Sequence, residues 1–270
     1  MINIIKIEEL NELSTLKTEY INQATAPLDG MWLCGFVPMA THFGFYHNEE
    51  LIGFCCVNSD GYLLQFYVNQ RHYVHAADIF TSVISKIESP VGKVNGAFAS
   101  TAESHYFSLC LDEQQEMQVN GFMYQQVKAL TTPQESSLTM AVATLDQLSE
   151  FVEFAKENIG APEEWVSGYY ANLISRQELF GHWNGSQLIA AGECRLFNEH
   201  QTDYADLGMV VATSERGKGL GAQILRYLVA LTNSQGLTAM CSTEKSNIAS
   251  QKAITHAGFS SSHRIVQFDF

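Results

Sequence analysis

The sequence predicts a mixed α/β protein (α+β) built as two tandem domains of one plan. Three observations carry that expectation: short motifs recur at a fixed step, strand-like and helix-like segments alternate, and a polar, proline-containing stretch divides the halves. Phe43-Gly44-Phe45-Tyr46 precedes Leu51-Ile52, and Phe180-Gly181-His182-Trp183 precedes Leu188-Ile189. From 43 to 180, from 51 to 188, and from Gly121-Phe122 to Gly258-Phe259, the step is 137 residues each time. From 9 to 147 the step is 138, and Glu9-Leu10-Asn11-Glu12-Leu13 there resembles Gln147-Leu148-Ser149-Glu150-Phe151. A period this long describes paired domains, since solenoid repeats run at about 20–50 residues. The boundary is expected in Thr131-Thr132-Pro133-Gln134-Glu135-Ser136-Ser137, giving domains 1–132 and 137–270.

In the second half, 138–143 reads as a strand. Residues 145–158 read as a helix, with Leu148, Phe151, Val152 and Phe154 or Ala155 on its apolar face. A second helix covers about 162–175, and strands follow at 179–183, 188–197 and 204–211. Beyond a glycine-rich turn, Leu220, Ile224, Leu225, Leu228, Val229 and Leu231 recur at helical spacing, with Gly236 as a stop signal. A strand at 238–242, a helix at 248–256 and a strand at 262–268 complete a sheet of six or seven strands flanked by helices.

Composition narrows the function. Of 270 residues, 46% are hydrophobic and 16% charged, which is ordinary for a globular chain. No run approaches the roughly 18 apolar residues of a membrane span, and the N-terminus lacks a signal-peptide pattern, so a soluble cytoplasmic protein without a membrane partner is expected. A net charge of −14 argues against a nucleic-acid partner, which needs clustered Lys and Arg, and suits a cationic amine substrate. The six cysteines form no CxxC pair and the nine histidines are scattered, so buried free thiols and no metal are expected.

The chemistry concentrates in Arg216-Gly217-Lys218-Gly219-Leu220-Gly221-Ala222, between a strand and a helix. Gly219 and Gly221 let an anion reach main-chain N–H groups without meeting a Cβ. The helix start supplies unpaired donors and partial positive charge, and Arg216 and Lys218 add full charges. A P-loop needs Ser or Thr after its lysine, whereas Gly219 follows Lys218. Gly217, Gly219 and Ala222 fit the dinucleotide fingerprint in form only, because that motif opens a βαβ sheet and this one opens the last third of the chain. A phosphate-bearing cofactor, a nicotinamide and a glycine-rich helix start without ligand stay open at this point.

The segment resembles the GNAT superfamily of acyl-CoA N-acyltransferases, whose signature is Arg or Gln, two residues, Gly, one residue, then Gly or Ala. Arg216, Gly219 and Gly221 fill it, and Val211 stands five residues upstream where the family usually has valine. Asn247-Ile248-Ala249-Ser250 through Gly258-Phe259 resembles the later family motif. The resemblance covers 138–270 and implies a mostly antiparallel sheet and acetyl-CoA as co-substrate. It assigns Met209, Val210 and Val211 main-chain bonds to the pantetheine arm. It places the pyrophosphate on Arg216, Gly217, Lys218, Gly219, Leu220, Gly221 and Ala222, and the pantetheine or adenosine end on Asn247 and Ser250. For Asn247 a plain helix cap is the other reading.

The implied reaction is acyl transfer to a primary amine of a small molecule or peptide. The alternative is a non-catalytic acyl-CoA-binding module, because two customary groups are missing. Ile254 stands where many members have a tyrosine acid, and Ala205 and Leu207 occupy the positions of the usual glutamate. Asp206 and His256 are the candidate catalytic groups, with Glu193 a third. In the first half, helix alignment from 79 to 224 sets Arg71 against Arg216, but His72, Val74 and Ala76 replace the glycines. That half is expected to be a degenerate member without a cofactor loop. Trp32, Phe36, Phe43, Phe45 and Tyr46 line an acceptor pocket or fill its core.

Overall fold

The computed structural model describes residues 2–85, 89–127 and 138–270. The expected boundary stretch at 131–137 lies outside the described residues. The chain forms two compact units, Met1–Phe122 with Ser262–Phe270, and Met123–Ser261.

The first unit contains β1 (Ile2–Ile7), α1 (Ser14–Gln23), β2 (Thr41–His47), β3 (Glu50–Val57), β4 (Tyr62–Val68), α2 (Ala76–Ile84), β5 (Gly96–Ser100) and α3 (Ser104–Glu113), and β6 (Glu116–Gln126) begins in it. The second contains β7 (Ala141–Val142), α4 (Leu148–Ile159), α5 (Glu163–Ser175), β8 (Leu179–Asn184), β9 (Gln187–Leu196), β10 (Tyr204–Val211), α6 (Leu220–Ser234), β11 (Thr238–Glu244) and α7 (Ile248–His256). The last strand, β12 (Phe259–Asp269), pairs antiparallel with β5, Ile265 opposite Ser100. The residues expected to close the second half thus lie in the sheet of the first unit. Pairing is antiparallel from β1 through β4 and from β7 through β10, while β4–β5 and β10–β11 are parallel.

Local chemistry sets the ends of these elements. The strand expected over 138–143 shrinks to Ala141–Val142 because Thr144 and Gln147 form a capping box that starts a 3-10 turn, Leu145–Gln147, ahead of α4. Gly160, at φ 67°, stops α4 in the left-handed conformation that glycine adopts most cheaply. On α6, Ile224, Leu225, Leu228 and Val229 are buried, as their spacing predicts. The second core packs Phe151, Val152, Phe154 and Ala155 of α4 against Val166, Tyr170 and Leu173 of α5 and Leu188, Ile189 and Ala191 of β9.

The internal echo has a steric basis. A Cβ on Gly181 would lie 2.2 Å from the Trp183 ring, and one on Gly44 would lie 3.0 Å from the Tyr46 ring. In both halves an aromatic side chain folds back over a glycine two residues earlier, so the pair recurs together.

Two outcomes follow. Gly181→Ala should lower stability by about 1–3 kcal/mol through overpacking, read as a lower urea midpoint with an unchanged slope. Glu103, half-buried, accepts the Tyr20 hydroxyl and the Ser100 N–H, yet desolvation raises its carboxyl from 4.5 to about 7. The folded state therefore holds a proton that the unfolded state has released, and stability should fall as pH rises from 4.5 to about 7. Glu103→Gln should flatten that limb in urea titrations across the same interval.

Candidate cofactor and active site

The second unit contains a strand that loses one neighbour partway along. β10 pairs with β9 from Ala205–Leu196 to Val211–Ala190, but with β11 only over Tyr204–Thr238, Ala205–Ala239 and Asp206–Met240. Past Asp206 the main chain of 207–211 has no strand partner on the β11 side among the described residues. An open strand margin of this kind takes up an extended molecule carrying amide groups, by main-chain hydrogen bonds. Met209 and Val211 are half-buried there and Val210 is buried.

The chain leaves this strand through a 3-10 turn, Thr213–Glu215, and enters α6 through Gly217 at φ 77° and Gly219 at φ 81°. A Cβ added at either glycine would meet nothing within 4 Å. Glycine is thus required by backbone conformation, while the space around both stays open. Gly219 is the N-cap residue and offers no side-chain acceptor, so the first-turn N–H groups of α6 face outward uncapped. Gly221 serves otherwise than expected: its missing Cβ would lie 2.9 Å from Met209 Sδ, so it lets α6 settle on β10. Leu220 is half-buried against the second core and Ala222 is buried.

Arg216 also differs from its expected part as a free charge. Its Nε donates to the Val211 carbonyl at 3.2 Å and its guanidinium to the Asn158 carbonyl. Asn158 Oδ1 in turn accepts from the Thr213 N–H at 2.8 Å and the Thr213 hydroxyl at 3.2 Å. The cation sits at the C-terminal end of α4, where the helix dipole favours it, and ties the loop to that helix. Lys218 is exposed and pairs with Glu215 at 3.0 Å. Asn247 caps α7, accepting the Ser250 N–H at 3.1 Å, with Ser250 half-buried beside it.

The proton-transfer candidates separate. Asp206 is fully buried, and its Oδ2 accepts Arg195 Nε at 3.0 Å and Nη2 at 2.7 Å. A carboxylate engaged in this way is withdrawn from any substrate. His256 is exposed at the end of α7, and its carbonyl accepts from Arg226 at 2.7 Å. Glu193 belongs to the Asp206 array: its Oε2 accepts the Tyr169 hydroxyl at 2.6 Å and a bond from Arg195 Nη1, which also donates to Tyr169 at 2.9 Å. Burial, then the neighbouring Glu193 charge, pushes the Tyr169 phenol far up, so it stays a donor. The sequence reading missed Arg195, Tyr169 and Asn158. The first had a signal, since β9 alternation sets Glu193 and Arg195 on one face. Ile254 is buried, and no hydroxyl stands at that position.

In the first unit the loop position holds a 3-10 turn, Gln70–His75, without glycine. β4 and β5 also part early, pairing only at Tyr62–Gly96 and Leu63–Ala97. Trp32 lies at that point, donating Nε1–H to the Leu64 carbonyl at 3.3 Å, with its ring 5.4 Å from Phe98. Phe43 and Phe45 are core, Tyr46 packs half-buried and Phe36 is 42% exposed. No helix among the described residues is long and apolar enough to cross a membrane, and no metal-binding group of His, Cys, Asp or Glu occurs among them.

Comparison with known proteins identifies the family and the fold. An acetyltransferase (GNAT) domain profile matches residues 9–127, and the acetyltransferase (GNAT) family profile matches 144–259. An acetyltransferase from the GNAT family of Colwellia psychrerythraea is 52% identical, with 99% of each chain covered and a TM-score of 0.94. A tandem GNAT protein from the clavulanic acid biosynthesis pathway is 10% identical, covering 99% of this chain and 98% of its own, with a TM-score of 0.62. A GCN5-related N-acetyltransferase from Sphaerobacter thermophilus is also 10% identical, covering 98% and 94%, with a TM-score of 0.67. These last two share the fold. A comparison with curated proteins gave no match. The chain belongs to the GNAT family of acetyltransferases, with two GNAT domains in tandem.

Proposed function

We propose that the second unit binds acetyl-CoA and transfers its acetyl group directly to a primary amine of a small molecule or peptide. The observation that carries this reading is the open 207–211 margin of β10 running into a loop with two positive-φ glycines and an uncapped helix start. The margin suits the pantetheine amides, bonded by the main chain of Met209, Val210 and Val211. The cradle of Gly217, Lys218, Gly219, Leu220, Gly221 and Ala222 suits the pyrophosphate through N–H groups and helix dipole. Arg216 braces that cradle from behind, and Asn247 and Ser250 flank the far end as α7 begins. A main-chain N–H near Val210 or Val211 donates to the oxyanion that forms when the amine attacks. The described residues of the first unit form no such cradle, and in this reading that unit binds no second acetyl-CoA.

Calorimetric titration with acetyl-CoA should give one site per chain. Gly219→Val should weaken it by about tenfold or more, since a β-branched residue at φ 81° is strained and fills the open space above the loop. Two sites per chain, or full affinity in the variant, would contradict the assignment.

A further inference from the structure

We propose that Glu193 is the base that takes the acceptor amine's proton, with Tyr169 and Arg195 as the residues that position it. The inference rests on the acetyl-CoA reading above and names a catalytic group within that site.

Glu193 is 6% exposed, and its Oε2 is fully engaged by Tyr169 and Arg195. Tyr169 and Arg195 both bond Oε2, so neither engages Oε1, and the Tyr170 phenol also faces this carboxylate. Glu193 stands opposite Gly208 across β9 and β10, two residues beyond the point where β10 loses β11. A Cβ on Gly208 would lie 2.9 Å from Glu193 Oε2, so the missing side chain makes room for the carboxylate beside the open margin. One guanidinium faces two carboxylates in this array, which leaves one negative charge among Glu193, Arg195, Asp206 and Tyr169. Because Asp206 takes two donors from Arg195, the uncompensated charge belongs with Glu193. An ammonium arriving at the thioester therefore meets a carboxylate with one oxygen that neither Tyr169 nor Arg195 holds.

The step balances as follows. The substrate ammonium gives one proton to Glu193 Oε1, from which it passes to solvent. The neutral amine attacks the thioester carbonyl, the C–N bond forms, and the C–S bond breaks with its electron pair on sulfur. The nitrogen's second proton ends on the thiolate, giving the amide and free CoA.

The test measures thiol release from acetyl-CoA with spermidine, tyramine and an alanine-initiated peptide, each against an amine-free control. Glu193→Gln keeps an acceptor for Tyr169 and Arg195, so its acetyl-CoA affinity and melting temperature should match the wild type. Its kcat/KM near neutral pH should fall about a hundredfold or more. The deficit should shrink as pH rises towards the amine's own pKa, about 10.4, where free amine no longer needs a base. Tyr169→Phe removes a donor to the charged carboxylate, so the acid limb of its rate profile should move to higher pH. A pH-independent loss in Glu193→Gln, no loss, or an unmoved limb in Tyr169→Phe overturns the assignment and leaves the acetyl-CoA reading standing. Absence of turnover by the wild type with all three amines overturns the transfer reading and this assignment with it.

Discussion

The second unit depends on one cross-strand ion pair at a fork. Asp206 is the last residue of β10 that pairs with β11, and directly opposite it on β9 stands Arg195. Two donors from the guanidinium reach a fully buried carboxylate oxygen. Buried pairs of this kind add little net stability, but losing one partner costs about 3–5 kcal/mol because a bare charge stays behind. Their value is positional: β10 is fixed to β9 where it leaves β11, and everything downstream is aimed from that point. The open margin, the tight turn and the start of α6 follow within sixteen residues, from Asp206 to Ala222.

The loop is preformed from outside. Arg216 and Asn158 bond α4 to the turn, Gly217 and Gly219 supply backbone angles that other residues adopt only under strain, and Gly221 brings α6 onto Met209. A loop shaped before its ligand arrives loses little conformational entropy on binding. The two halves share the glycine–aromatic pair and the early parting of two parallel strands. They differ in what meets the parting. In the first unit it is the indole of Trp32, and the loop position is a turn of bulky residues.

Much of this was legible in the sequence because it is local. β10 and α7 fall where periodicity sets them, and the glycine spacing announces the turn before α6. The repeat was legible because Gly44 and Gly181 cannot tolerate a side chain beneath their aromatic neighbours. What escaped is what depends on distant partners. Arg216 reads as a ligand-facing charge until the carbonyl of Asn158, 58 residues away, is seen to accept its hydrogen bond. Asp206 reads as a base until Arg195 is seen across the sheet, and Tyr169 on α5 gives no sign of facing Glu193. The place of β12 beside β5 was hidden because strand pairing is not written in periodicity.

The central claim is that the open β10 margin and the loop after it together receive acetyl-CoA. Amide hydrogen exchange, followed with and without acetyl-CoA, tests it most directly. The account predicts slowed exchange at 207–211 and 217–222 on addition of acetyl-CoA, with 62–76 unchanged. Unaltered exchange at 207–222, or protection confined to 62–76, would contradict it.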